Sequence, residues 1–257
     1  VSSRGFGVAA GLDAEVAGPL AARCEQLGYR SCWSNDHPGA KGLGTLADFA
    51  EGTSSADLGV AVIALDRRGP EEIATDIGSL DRERLWVGVG AGFQDRPLTA
   101  MRAALPALRE ALPGVRLVLA AMGPKMCSLA GAEFDGAFFN WMTAAYAAKA
   151  REWVEAGARD AGRETPPVMG YVRVAVGADA RERLIKEESF YRDLHDGYRG
   201  HFERLGEPEG TVGVAAADRE EAQRALAEYE AYDVVVVRGL ASANLEAMSA
   251  VAEAAAP

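Results

Sequence analysis

Short, nearly continuous apolar runs alternate along the chain with longer stretches whose apolar residues recur every three or four positions. The first kind reads as strands buried on both faces, the second as helices carrying one apolar stripe. Phe6 to Ala10 predicts the first strand, and Asp13 is placed to cap a helix through Val16, Leu20, Cys24 and Leu27 that ends at Gly28. Tyr29 to Asn35 predicts the second strand, closing on Asp36-His37-Pro38, where Pro38 cannot continue a central ladder. A Gly-rich loop, GAKGLG, leads into a short helix over about Leu46 to Glu51. Leu58 to Leu65 is the third strand, and Pro70 opens a helix through Ile73, Ile77 and Leu80. Leu85 to Gly90 is the fourth, followed by a helix from about Leu98 to Leu112.

The stretch Val115 to Asn140 packs strand, glycine turn, helix and strand closely together. Leu117 to Ala121 reads as the fifth strand; Met122, Gly123 and Pro124 break it, and Pro124 suits the first turn of a helix through Lys125, Met126, Leu129 and Ala130. Such a helix points unpaired N–H groups and its positive dipole end above the sheet, and Lys125 adds a full charge there. The pattern predicts an anion site or an ordinary connecting turn. A sixth strand closes on Asn140, a helix runs over Ala144 to Ala161, and Val168 to Val176 is the seventh strand. Residues 178–230 read as mostly helical and charged, broken by GEPEGT; Asp233 to Val237 is the eighth strand and an Ala-rich helix follows from Ala243. Eight strands alternating with helices predict a single (β/α)₈ TIM barrel over residues 1–257, with a doubly wound open sheet as the alternative. No Pro, Ser or Gly run marks a linker. The longest connection, from the seventh strand to the eighth, would fall on the catalytic face as a helical insertion able to act as a lid.

About half the residues are apolar and a quarter charged, enough for a full core. The formal net charge of -11 argues against nucleic-acid binding, so an anionic ligand needs a local positive site. Cys24, Cys32 and Cys127 lack metal-ligand spacing and read as reduced thiols, so no metal is expected. No apolar run reaches membrane-spanning length, and the N-terminus lacks the pattern of a signal peptide; the expectation is a cytoplasmic protein with no membrane partner. The Ala, Arg and Gly bias suggests a GC-rich, actinobacterial-like genome.

In a barrel the loops after the strands build the site. His37 is one of three histidines and directly follows an acid at a strand end, as a group that gives or takes a proton near neutral pH should. Asp36 would orient N–H groups; both residues read equally as polar loop residues that cap backbone groups. Arg67-Arg68 reads as surface ion pairing rather than a ligand contact. Gly88, Gly90 and Gly92 form a G-x-G-x-G pattern without the dinucleotide spacing, and allow close backbone approach of a ligand. Trp33, Trp141 and Tyr171 are candidates for an apolar pocket or for core, Trp86 and Trp153 for core, and His195 and His201 for a solvated helical face.

LGYRSCWSNDH, LGVAVIALDRRGPEEIATDIGSLDRERLWVGVGAG and LAAMGPKMCSLAGAEFDGAFFNWMT resemble, in the same order, three blocks of the luciferase-like flavin-dependent oxidoreductases, and YDVVVVRGL also fits. The Gly-Pro-Lys turn followed by Ala-Gly and Asp-Gly is most similar to the branch that uses the deazaflavin coenzyme F-420. The resemblance implies an oxidoreductase that transfers hydride between the deazaflavin and a small-molecule substrate, with an FMN-dependent monooxygenase served by a flavin reductase, or a non-catalytic flavin-binding member, as alternatives. It places Asp36 and His37 near the reactive ring. It puts Val62, Ile63 and Ala64 beneath the ring, where the family often has a bulge or a non-prolyl cis peptide. Gly90 and Gly92 would lie beside the cofactor, and Met122, Gly123, Pro124, Lys125 and Asn140 at its phosphate-bearing tail. Trp33, Phe93, Trp141 and Tyr171 would line the substrate pocket. A homodimer through outer helices is implied as well. Two departures stand out: the fourth-to-fifth connection is shortened to about 25 residues, and Phe93 stands where some deazaflavin enzymes place an acid.

Overall fold

Among the described residues, 2–257 of a computed structural model, the apolar runs form parallel strands, and eight of them close a ring. In chain order the strands are β1 (Ser3–Val8), β2 (Ser31–Ser34), β3 (Asp57–Ala64), β4 (Leu85–Gly90), β5 (Arg116–Ala120), β6 (Gly136–Asn140), β7 (Val168–Val176), β8 (Val214–Ala216) and β9 (Val234–Gly239). Neighbours pair in sequence from β1 to β7, then β7 pairs with β9 and β9 with β1. This closure makes a TIM barrel and removes the open-sheet alternative. The short β8 lies outside the ring, paired only to the far end of β7. It falls in the region expected to be helical, and its three residues give too short an apolar run to stand out.

The helices are α1 (Ala14–Gln26), α2 (Gly42–Gly52), α3 (Pro70–Ile77), α4 (Pro97–Ala111), α5 (Pro124–Glu133), α6 (Ala144–Asp160), α7 (Ala180–Leu194), α8 (Asp196–Leu205), α9 (Arg219–Ala227) and α10 (Leu245–Ala254). Proline opens α3, α4 and α5, where the missing N–H costs no hydrogen bond. The side chains of Thr143, Asp218 and Asn244 cap α6, α9 and α10 by accepting from backbone N–H groups. Asp13 precedes α1 as expected, without a side-chain cap bond.

Strand alternation sorts the core into two shells. Phe6, Leu58, Val60, Val87, Leu117, Phe139, Val172 and Val235 point outward and pack with the helices. Trp33, Ala61, Val118, Phe138, Met169, Tyr171 and Val236 fill the barrel. At its amino end Trp86 is half-buried rather than core: its Nε1 donates to Asp57 at 2.9 Å and Arg116 lies 4.1 Å above its ring. Trp153 is likewise half-buried, edge-on to Tyr146. The β4–β5 connection holds one helix, α4, whereas the β7–β9 connection holds α7, α8, β8 and α9. No described helix is long and apolar enough to cross a membrane.

Candidate active site

One side of the barrel mouth is floored by small residues. The β3–β4 ladder slips between Val60 and Ile63, with the Ala61–Val62 peptide in cis. Val62 is half-exposed there, while Ile63 and Ala64 are buried. A Cβ at Gly90 would lie 3.3 Å from Val62 Cγ2 and 3.4 Å from Ala120 Cβ, so Val62, Gly90 and Ala120 form a shallow continuous surface across β3, β4 and β5. The β4 loop then turns through Gly92 at φ +66°, where a Cβ would meet Asp66 Oδ1 at 1.9 Å, and Phe93 N donates to Asp66 at 2.9 Å. Gly92 thus serves the turn and the close approach of a carboxylate from the β3 loop. Phe93 is exposed and stacks on His195, 4.4 Å between centroids, so the α7–α8 junction reaches the β4 loop.

The loop after β2 is tied down by its acid. The Asp36 carboxylate, 4% exposed, accepts from Gly42 N at 3.0 Å and pairs with Arg68, which also bonds Asp76 at 2.6 Å. Arg68 is therefore a buried ion pair, against the expectation of surface pairing, because the α2 and α3 segments close over it. His37 is half-buried at the rim; its Nδ1 accepts from Gly39 N at 3.1 Å, which leaves the proton on Nε2, 3.3 Å from the Ala10 carbonyl. Asp36 and His37 are adjacent in sequence, yet the carboxylate does not touch the imidazole.

On the β5 side, Met122 and Gly123 are half-exposed and Pro124 and Lys125 exposed at the start of α5. A Cβ at Gly123 would meet nothing within 4 Å, so the first turn of α5 faces open space. Pro124 and Lys125 border an outer groove of about 350 Å³ shared with Leu98, Arg102 and Trp153. A second groove, about 540 Å³, runs along the rim from Phe93 to Thr99.

Across the ring from β3 and β4, the paired strands β7 and β9 carry Arg173 and Arg238 near the end of their ladder, and β6, next to β5, ends in Asn140. Asn140 accepts from Arg173 and donates to Tyr198 at 3.4 Å. Trp141, at φ +54°, is buried with Arg173 stacked 3.9 Å over its ring and Tyr191 and Phe202 against its edges. The insertion thus covers the ends of β6 and β7. Burial, with Tyr191 adding, pushes the Tyr198 hydroxyl up to about 12, although Arg173 and the Asn140 bond oppose the shift. His201 is not on a solvated face. It is fully buried, its Nε2 lies 2.6 Å from the Trp141 carbonyl, and burial lowers its pKa against that bond. Its ring faces inward because α8 folds back onto Trp141, which charge content alone does not reveal. Trp33 and Tyr171 lie within the barrel filling, below the mouth, and Tyr171 Oη has no partner. The structure gathers Val62, Gly90 and the β2, β4 and β5 loops around one rim, with Asn140 and Trp141 beneath the insertion. The sequence reading singles out none of Arg173, Arg238 and Tyr198. The signal for the two arginines was a charged residue at inward parity in VMGYVRVAV and VVVVRG.

The sequence profile of the luciferase-like monooxygenase family matches residues 6–116 and 96–247. The chain belongs to this family. Among characterised family-like proteins, a 5,10-methylenetetrahydromethanopterin reductase of Methanolobus tindarius is 28% identical over 195 residues, 61% of this chain and 60% of that protein, so the chain spans under two thirds of that relative. Of solved structures, the coenzyme F-420-dependent tetrahydromethanopterin reductase from Methanopyrus kandleri aligns with TM-score 0.77 and 18% identity, covering 98% of this chain and 97% of that one. An F-420-dependent secondary alcohol dehydrogenase holding an F-420–acetone adduct gives 0.74 at 16% identity, covering 99% of both chains. An FMN-bound type II Baeyer–Villiger monooxygenase of Pseudomonas putida gives 0.68 at 14% identity, covering 100% of this chain and 99% of that one. At these identities the structural likenesses speak for the barrel fold alone.

Proposed function

We propose that this luciferase-like protein is an oxidoreductase that binds coenzyme F-420 across the barrel mouth and exchanges a hydride with a small organic substrate. The observation that carries the reading is the floor of Val62, Gly90 and Ala120, a cradle that a side chain at Gly90 would fill, in a chain with a reductase as its relative. The donor set also fits: the first turn of α5, capped by no side chain and opening on free space at Gly123, with Lys125 exposed beside it, suits a phosphate-bearing tail. When bound, the deazaflavin supplies hydride chemistry at its ring.

The chain's own residues do the rest. Met122, Gly123, Pro124 and Lys125 receive the tail, and Asn140 acts by orienting Arg173 and Tyr198. Gly90 and Gly92 keep the β4 rim low, and Ile63 and Ala64 anchor the Val62 surface in the barrel wall. His37 carries the accompanying proton on Nε2, while Asp36 is a positioning residue that holds its loop through Gly42 and Arg68. Phe93 and the α7–α8 insertion close the site from water, and Trp141, Trp33 and Tyr171 form the wall and base of the substrate space. An FMN-dependent oxygenase fed by a flavin reductase is the second reading, favoured by the FMN-bound neighbour.

Anaerobic mixing of protein loaded with reduced F-420 against panels of ketones, aldehydes and enones tests the proposal. Substrate-dependent return of the oxidised deazaflavin absorbance is expected. Bound cofactor that no substrate reoxidises would mark a binding protein instead.

A further inference from the structure

Arg173 and Arg238 are register partners in the β7–β9 ladder, and both occupy the inward parity of their strands, above Tyr171 and Val236. Arg173 is 2% exposed and Arg238 9%. Neither guanidinium pairs with a carboxylate among the described residues, although acids outnumber Lys and Arg by 38 to 27 in the sequence. Arg173 is held by Asn140 and by stacking on Trp141, with its Nε unpartnered. Arg238 has one long bond, from Nη1 to the Gly239 carbonyl at 3.4 Å. Directly below them the Tyr171 hydroxyl is buried without a partner. Two adjacent buried like charges repel each other and lose hydration, a cost that a chain rich in acids could have removed with one carboxylate. An anion held from outside the chain removes it as well.

We propose that Arg173 and Arg238, with the Tyr171 hydroxyl, form an oxyanion site that binds a carboxylate or phosphate group of the substrate. The assignment to substrate rests on the oxidoreductase reading above. The pair sits one register step before the end of the β7–β9 ladder, on strands that stand opposite β3 and β4 in the ring, so it faces the small-residue floor across the mouth. The open α5 turn at Gly123 follows β5, on the floor's side. A substrate anchored here by its anion presents its reducible end toward the floor, and specificity is for anionic small molecules over neutral ones of the same shape.

The test titrates inorganic phosphate into wild-type protein, Arg238→Gln and Arg238→Lys at constant ionic strength, read by tryptophan fluorescence and by thermal shift. Circular dichroism checks that each variant folds. Phosphate binding at least tenfold weaker in Arg238→Gln, with Arg238→Lys between the two, is expected, because a point charge replaces the fork only in part. Equal binding by wild type and Arg238→Gln, or no phosphate binding by wild type, overturns the site. A second arm measures F-420 and its deazaflavin core without the phosphate tail. Unchanged F-420 affinity in Arg238→Gln supports the substrate assignment. A loss for F-420 but not for the core gives the pair to the cofactor tail and overturns that assignment. Failure of wild type to bind F-420 counts against the oxidoreductase reading alone, since the phosphate arm reads the arginine pair without it.

Discussion

At the scale of single residues the chemistry is set by which polar groups are left free. His201 is held by the Trp141 carbonyl with Nδ1 unpartnered, and burial keeps its folded pKa below the ordinary value. Below a pH of about 6.5 the unfolded chain takes up a proton that the native state resists, so this residue makes stability rise with pH and fall on acidification. Denaturant unfolding at pH 7.5 and 5.5 is expected to show His201→Gln losing less stability than wild type on acidification, by up to about 1.4 kcal/mol per pH unit. Parallel losses would show that the ring titrates freely. His37 offers a different test, since its Nε2–H faces only a backbone carbonyl at the rim. His37→Ala is expected to keep its cofactor affinity and lose about 10²-fold or more in turnover, read under saturating substrate. Full turnover would remove its proton-carrying role.

Among the elements, α5 and α6 approach most closely. A Cβ at Gly157 would lie 2.0 Å from the Ser128 carbonyl oxygen, and one at Gly131 2.0 Å from that of Val154. Gly157→Ala therefore forces backbone apart and is expected to cost about 1–3 kcal/mol in thermal unfolding. Gly44→Ala, in α2 with no atom within 4 Å of its Cβ, should be neutral or slightly stabilising. Equal effects would deny that the two glycines serve packing. The barrel was legible at this scale because two-sided burial of parallel strands writes continuous apolar runs, as in Leu58 to Leu65 and Val168 to Val176. Of the candidate site, the local features legible in the sequence are the small residue at Gly90, the helix start at Pro124 and the Asp36-His37 loop after β2. Folding of α7 and α8 over Trp141, the burial of His201 and the pairing of Arg68 with Asp36 depend on contacts between distant segments, which periodicity does not encode. Arg173 and Arg238 stood in plain sight as charges within apolar strands, but their adjacency required the β7–β9 pairing across β8.

For the whole molecule, a net charge of -11 surrounds a barrel that holds Arg173 and Arg238 side by side on its inner face, with Lys125 exposed at the start of α5 on the outer groove. The proposed function therefore has an anionic cofactor held by local geometry against the overall field, with an affinity that falls with salt as those local contacts are screened. The homodimer through the outer helices that the sequence resemblance implies is a proposal, for which multi-angle light scattering should return twice the chain mass; a single-chain mass at working concentration would contradict it. The most direct measurement of the central claim is a pair of fluorescence titrations of the purified protein, one with coenzyme F-420 and one with FMN, at low and high salt. Saturable F-420 binding that weakens with salt, alongside much weaker FMN binding, is the predicted result. Preference for FMN, or binding of neither, would contradict the deazaflavin account.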